Sequence, residues 1–278
     1  MKTVSKIIIY PIKSLPGISL SSAELTPFGF KNDRAFMLVD TKEQKMITLR
    51  NFPVLYKIKI SSDTEDLLLL ENEQLPHPLY LKLTDINNDH DSQINQIQVW
   101  DDLVEVQSWN EEANQWFSDF LGINCALVKM APNFLRQVDR RYAAEGQGVL
   151  FSDGFPYLIC TESSLSLLNQ DLSKKVSIDH FRPNIVLDGG TPNEELNWDF
   201  ITIKNHIFNS FKPCARCQVI SIDPKNTNLN EEILPLMAKK YQKDNKIIFG
   251  INACWKQSEL MNHLSVGDIC QTTNKRNP

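Results

Sequence analysis

The stretch QIQVWDDLVEVQ, Gln96 to Gln107, reads as a β-hairpin. Val99, Leu103, Val104 and Val106 give its two arms apolar, β-branched character, and Asp101-Asp102 supplies the turn between them. The chain before it repeats the same texture. Val4 to Tyr10 is β-branched and aromatic and stops at Pro11. Ile18 to Leu25 alternates until Pro27-Phe28-Gly29. Ala35 to Val39, Met46 to Leu49, Leu55 to Ile60 and Leu67 to Leu70 are further short strands, and the polar run Ile86 to Asn95 is expected to be a loop. Many short strands at fairly even spacing predict a barrel or sandwich.

The texture changes after the hairpin. Asn110 to Leu121 carries Ala113, Trp116, Phe117 and Phe120 at helical spacing, with Gly122 beyond its end. This helix marks the expected boundary between residues 1–122 and residues 123–278. Downstream, Leu127 to Met130, Ile185 to Leu187, Phe200 to Ile203, Val219 to Ile222 and Ile247 to Ile251 read as strands. Pro132 to Gly148 is charged and irregular. Helices are expected at Thr161 to Leu168, with Thr161 as N-cap, and at Glu231 to Tyr241. The polar tail Thr272 to Pro278 is expected to fray. The fold class is therefore mainly β with some helices, in two β-barrel-like domains.

Composition narrows the function. The 278 residues carry 29 basic and 34 acidic side chains, a formal charge of −5, which excludes a general nucleic-acid coat or a polybasic membrane binder. Only 10 glycines argue against phosphate loops rich in glycine. The run Ile7-Ile8-Ile9-Tyr10 is too short for a signal core or a spanning helix. A soluble, cytoplasmic protein is expected, in which the six cysteines are free thiols, ligands or catalysts rather than bridges.

Four constellations carry chemistry. Lys212-Pro213-Cys214-Ala215-Arg216-Cys217 has C-x-x-C spacing, compatible with half of a zinc site, a redox pair, one reactive thiolate beside Arg216 and Lys212, or two buried strand-end cysteines. Lys13 and Ser14 end a strand, with Arg34 downstream, a combination suited to gripping a phosphate; taken alone, a solvated strand end is the stronger reading. Phe151-Ser152-Asp153-Gly154 is a polar loop ahead of a helix, suited to ligand contacts or to a plain turn. Arg182 and Asn184 bracket Pro183 where a strand begins, and Arg182 suits a phosphate or carboxylate. His180 beside them reads as a packed or surface histidine.

Taken in order, these segments resemble one family. YPIKS at Tyr10 to Ser14, NDRAFMLVD at Asn32 to Asp40, FSDGFPYLICTESSL at Phe151 to Leu165, FRPNIVL at Phe181 to Leu187, CARCQVISIDP at Cys214 to Pro224 and VGD at Val266 to Asp268 resemble MOSC-domain proteins that carry an N-terminal MOSC β-barrel domain, the family of the mitochondrial amidoxime-reducing component and its bacterial relatives. The resemblance implies two β-barrel domains and a bound molybdenum cofactor. It implies Cys217 as the protein's ligand to the metal and the catalytic residue. It implies Lys13, Ser14, Arg34, Asp153, Arg182, Asn184 and Arg216 as cofactor contacts, the four cations forming a pocket for the pterin phosphate. It assigns no role to Cys214.

The resemblance further implies reduction of N-hydroxylated compounds: hydroxylated bases, amidoximes and hydroxylamines. No plant-type iron–sulfur ligand run occurs, so electrons are expected from a separate ferredoxin-like or flavin reductase donor. Two other readings remain. One is a sulfur carrier or cofactor-trafficking protein with a persulfide on Cys217. The other is a binding module for an anionic metabolite. Departures from the family pattern, Thr227-Asn228 and Phe249-Gly250-Ile251-Asn252, fall in loops expected to shape the substrate mouth.

Overall fold

A computed structural model describes residues 1–84, 94–256 and 262–275. The chain is mainly β. The hairpin forms from Ile94–Val99 and Asp102–Ser108, turning at Trp100-Asp101. With Cys125–Met130, Phe36–Asp40 and Lys45–Met46 it makes a closed barrel, sealed by a parallel bridge between Gln98 and Lys45. Met37, Val39, Ile97, Val99, Val104, Val106 and Val128 cluster together, while Leu38 and Leu127 face a different core. That is the period-two alternation that a barrel wall requires.

Helix α1 (Glu111–Leu121) closes that second core with Trp116, Phe117 and Phe120. Its start and stop follow local chemistry. The Asn110 side chain accepts from the Ala113 N–H, and Gly122 takes the left-handed conformation at φ 69°. A three-stranded meander, Lys59–Thr64, Leu67–Glu71 and Leu79–Lys82, packs Leu68, Leu70, Leu79 and Leu81 against the same core.

The second sheet runs Tyr157–Thr161, Ile185–Asp188, Lys2–Ile9, Ile269–Asn274, Trp198–Ile203, His206–Ala215, Lys246–Lys256. An added pairing of Tyr157–Thr161 with Lys246–Lys256 brings the path back to its start. The N-terminal strand thus sits inside a sheet otherwise built from the second half of the chain, and Cys125–Met130 sits inside the barrel built from the first. Gly250 lies where Lys246–Lys256 crosses Tyr157–Thr161. Its φ is +77°, and a Cβ there would meet Cys160 Sγ at 2.7 Å and the Ile159 carbonyl oxygen at 2.9 Å, so only glycine fits.

Several expected elements differ. Val219 to Ile222 is not a strand; Gln218–Ser221 is a 3₁₀ turn. Its β-branched residues feed two cores, Ile220 with Phe181 and Phe249, and Ile222 with the α1 core, which a flat strand could not do. Leu55 to Ile60 begins as a 3₁₀ turn, Pro53–Lys57, because Pro53 opens it. Met46 to Leu49 leaves the ladder after Met46. The strand His206–Ala215 has no clean pattern because two register shifts interrupt it. The tail does not fray at Thr272: Ile269–Asn274 pairs with Trp198–Ile203. Residues 276–278, and 86–93 of the expected polar loop, lie outside the described residues, and the last two residues of that loop, Ile94 and Asn95, open the strand Ile94–Val99 instead.

Helix α2 (Glu162–Asn169) follows Thr161, whose Oγ1 accepts from the Ser164 N–H. Beneath this cap Glu195 is buried, accepting from Ser164 Oγ at 2.9 Å and Thr161 Oγ1 at 3.3 Å. Burial raises its carboxyl above the ordinary value of 4.5, against the pull of those hydroxyls. The native state therefore holds this proton more tightly than the unfolded chain. The group's contribution to stability is full below the ordinary value and is lost as pH rises through the raised one. Glu195→Gln is expected to raise Tm at pH 8 by roughly 2–4 °C, about 1 kcal/mol in a chain this long, with the gap closing at acid pH. Thermal melts of both proteins across this range check it, and an equal gap at all pH values contradicts it.

Candidate functional site

The strand Lys2–Ile9 delivers Tyr10 to Leu15 between the two barrels. Ile12 bridges Phe36, and the Lys13 N–H donates to the Phe36 carbonyl. The turn at Asp33-Arg34 is tied to it, since the Arg34 N–H donates to the Tyr10 carbonyl at 2.8 Å. The 3₁₀ turn Ile178–Phe181 ends with Arg182 in the left-handed conformation, φ 53°. The Asn184 N–H donates to the Leu158 carbonyl, and its side chain accepts from the Leu158 N–H and donates to the Ile8 carbonyl. The loop at Phe151 to Gly154 is braced by buried Arg136, whose Nη1 reaches the carbonyls of Leu150 and Ser152.

These loops enclose a cavity of about 140 Å³. Lys13, Ser14, Arg34, Asp153, Arg182, Asn184, Arg216 and Cys217 all line it. So do Thr48, Arg50 and Trp100 from the first barrel, which the sequence motifs did not single out, and Cys214 of the C-x-x-C pair, to which the resemblance assigned no role. Trp100 had a readable signal, a bulky aromatic next to a hairpin turn where Gly, Asn or Asp is usual.

The four cations are not equivalent. Arg34 is held by Asp33, whose side chain is fully buried, with Nη1 at 2.5 and 2.7 Å from the carboxylate oxygens. Lys13 donates to Asp153 at 2.7 Å and to the Phe151 carbonyl. Burial pushes the Lys13 pKa down and Asp153 opposes it. Arg182 stacks over Tyr10 at 4.3 Å, with Arg34 on the same ring at 4.0 Å. Arg182 Nη1 and Arg216 Nε are buried and lack an acceptor. Two cations are thus neutralised by carboxylates, and the other two hold N–H groups with no acceptor. A buried donor left so costs about 1–3 kcal/mol.

The thiols separate by environment. Burial pushes Cys125 and Cys270 up to about 11, Cys254 to about 12, and Cys160 well above the ordinary value. These four are packed thiols. Cys214 and Cys217 are half-buried and face the cavity. The cation beside this pair serves Cys214: Arg216 Nη1 lies 2.9 Å from Cys214 Sγ. Lys212 turns away and lies over the rings of Tyr142 and Phe155. His180 is packed, its Nδ1 2.8 Å from the Ile220 carbonyl oxygen. Among the described residues, no group of three or more His, Cys, Asp and Glu side chains could hold a metal, and no helix is long and apolar enough to cross a membrane.

Two β-barrels meeting at a cation-lined cavity with half-buried thiols have a counterpart among known families. Residues 1–124 match the MOSC N-terminal beta barrel domain and residues 146–271 match the MOSC domain; the chain belongs to the MOSC family. It is 33% identical over 235 residues to mitochondrial amidoxime reducing component 2 of Bos taurus, covering 80% of this chain and 67% of that protein. It is 32% identical over 257 residues to mitochondrial amidoxime-reducing component 1 of Mus musculus, covering 86% and 70%. To a molybdenum cofactor sulfurase of Oryza sativa subsp. japonica it is 31% identical over 266 residues, covering 89% of this chain and 32% of the sulfurase. The chain therefore spans about two thirds of the amidoxime-reducing components and about a third of the sulfurase.

Proposed function

We propose that the chain binds a molybdenum cofactor in this cavity and reduces N-hydroxylated compounds, namely hydroxylated bases, amidoximes and hydroxylamines. The observation that carries the reading is the pair of buried, acceptor-less guanidinium nitrogens beside a half-buried thiol. The donor set fits the group. Arg182 and Arg216 would take the phosphate, Cys217 would give the metal its one protein ligand, and Lys13, Ser14, Arg34, Asp153 and Asn184 would border the pterin. A bound cofactor supplies two-electron reduction of the N–O group. The chain's own part is to bind and orient, with Arg136 fixing the Asp153 loop and Asp33 fixing Arg34. Electrons would come from a separate donor protein, ferredoxin-like or a flavin reductase. The reading assigns the protein to the cytoplasm, with residues 1–122 supplying the mouth and 123–278 the thiol.

The test is metal analysis of protein made in cells with an intact cofactor pathway, followed by assay of N-hydroxylated substrates with an artificial reductant. Wild type is expected to carry near-stoichiometric molybdenum and to reduce them; Cys217→Ser is expected to lose both. Molybdenum absent from wild type, or retained equally in Cys217→Ser, overturns the reading. The likeness to a molybdenum cofactor sulfurase supports a second reading, sulfur carriage on Cys217. Intact-mass measurement separates them, since only sulfur carriage adds about 32 Da to Cys217.

A further inference from the structure

Two 3₁₀ turns carry the two halves of this site. Ile178–Phe181 ends at Arg182, which holds a buried guanidinium nitrogen without an acceptor. Gln218–Ser221 begins after Cys217, the half-buried thiol. The side chain of His180 joins the turns. His180 is buried and stands behind the residues that line the cavity. Its Nδ1 lies 2.8 Å from the Ile220 carbonyl oxygen, in a buried contact between residues 40 positions apart. A carbonyl only accepts, so Nδ1 carries the hydrogen and donates it.

That bond reaches Cys217 through a single residue. The Ile220 N–H donates to the Cys217 carbonyl at 3.3 Å, and the Ile222 N–H donates to the Val219 carbonyl. A short helical turn leaves its last carbonyls unmet. The next N–H that could serve Ile220, that of Asp223, goes to the Asn228 carbonyl instead. His180 meets the Ile220 carbonyl from outside the turn. Ile220 is therefore tied to Cys217 by its N–H and to His180 by its carbonyl. A second link, from Arg216 Nη2 to the Phe181 carbonyl at 2.7 Å, runs through a long side chain and leaves the following backbone freer. The guanidinium end has supports of its own. The Arg182 N–H donates to the Asp179 carbonyl, the Arg182 carbonyl accepts from Arg34 Nη2, and its guanidinium stacks over Tyr10.

We propose that His180 is a positioning residue, whose bond to the Ile220 carbonyl sets where the Cys217 thiol stands relative to the two acceptor-less guanidinium groups. A group that spans the site, with an anion at one end and a metal at the other, gains from both grips only when their separation is fixed. A misplaced second grip acts at a low effective concentration. An anion held by the guanidinium groups alone has no such requirement. His180 therefore acts on the thiol end and on whatever bridges the two ends, and not on simple anion binding. The part concerning a bridging cofactor rests on the proposed function; the placement of the thiol does not.

The test compares wild type with His180→Leu, which removes the donor, and His180→Asn, whose side-chain N–H takes the place of Nδ1–H. In the cofactor-free chain, brief alkylation with iodoacetamide reads each thiol, and trypsin cleavage after Arg216 separates Cys214 from Cys217. His180→Leu is expected to raise alkylation of Cys217 about five-fold relative to Cys214, because the opening is local to one turn and Arg216 still holds Cys214. His180→Asn is expected to restore the wild-type ratio. Inorganic phosphate, titrated by calorimetry, should bind all three within about two-fold, as expected of an independent site. In protein made with the cofactor pathway intact, molybdenum per chain should fall about ten-fold in His180→Leu and recover in His180→Asn; groups that orient a metal's ligand typically matter by 10–100-fold. A Cys217 to Cys214 ratio unchanged in His180→Leu overturns the proposal, and so does a ratio that His180→Asn fails to restore. An equal rise at both thiols with weakened phosphate binding means general loosening and overturns it as well. Molybdenum carried by wild type and retained equally in His180→Leu has the same consequence. If wild type carries no molybdenum while the alkylation pattern holds, the proposed function fails and the positioning of the thiol by His180 stands.

Discussion

Asp33→Ala is expected to destabilise the protein by about 3–5 kcal/mol, the usual result of removing one partner from a buried ion pair. The Asp33 side chain has no solvent exposure, and that of Arg34 has only 11%. Two contacts from Arg34 Nη1 and one at 2.8 Å from the Tyr10 N–H end on the same carboxylate. Alanine would leave a guanidinium and a backbone N–H both buried and unmet. The damage would spread, because Arg34 also donates to the Arg182 carbonyl and stacks on Tyr10 opposite Arg182's charge. Without its counter-ion, Arg34 would face the second guanidinium across one ring. Asp33→Asn keeps an acceptor for Tyr10 and loses the charge, so an intermediate loss is expected. Urea denaturation of the three proteins measures the order. A loss below about 1 kcal/mol for Asp33→Ala would mean that the pair adds nothing to the fold.

What was legible in the sequence was mostly local. Asn110 and Gly122 bound α1 because capping depends on residues a few positions away. The hairpin was legible because its alternation is local too, although it turns at Trp100-Asp101, one residue before the expected Asp101-Asp102. The eight residues read from motifs lie on loops that join strand ends, and strand order brings those loops to one cavity. The illegible parts are long-range. Nothing near Arg50 in sequence indicates that its side chain reaches Trp100, fifty residues away. Nothing in Cys214-Ala215-Arg216-Cys217 says which thiol the guanidinium takes; the register of His206–Ala215 against Lys246–Lys256 decides for Cys214. Val219 to Ile222 misled for a related reason. β-branched residues favour strands on a half-buried sheet, but here Ile220 and Ile222 serve two different cores. Likewise, reading Lys13, Arg34, Arg182 and Arg216 as one cationic pocket, with Asp153 as a further contact, did not show that Asp33 and Asp153 hold two of the four cations.

That inequality yields the second large effect: Arg182→Asn should lower molybdenum retention by roughly 10–100-fold, whereas Lys13→Met should lower it by only a few-fold. Hydrogen bonds to charged groups contribute about 1.5–3 kcal/mol, which corresponds to the larger range. Asparagine is the informative replacement because it tolerates the left-handed backbone at φ 53°, so the charge is removed without adding strain. Arg182 Nη1 has no acceptor to give up when an anion arrives. Lys13 would first have to leave Asp153 and the Phe151 carbonyl. Molybdenum per chain after a fixed dialysis, at low and at moderate salt, separates two kinds of pocket. If the cavity holds its anion by directed bonds from buried guanidinium groups, the two variants differ strongly and salt changes the ranking little. If the cations act as a diffuse positive field, Lys13→Met and Arg182→Asn lose equal amounts and both losses shrink as salt screens the charges. The buried, acceptor-less nitrogens favour the first outcome, because directed bonds from a desolvated guanidinium depend on position rather than on total charge.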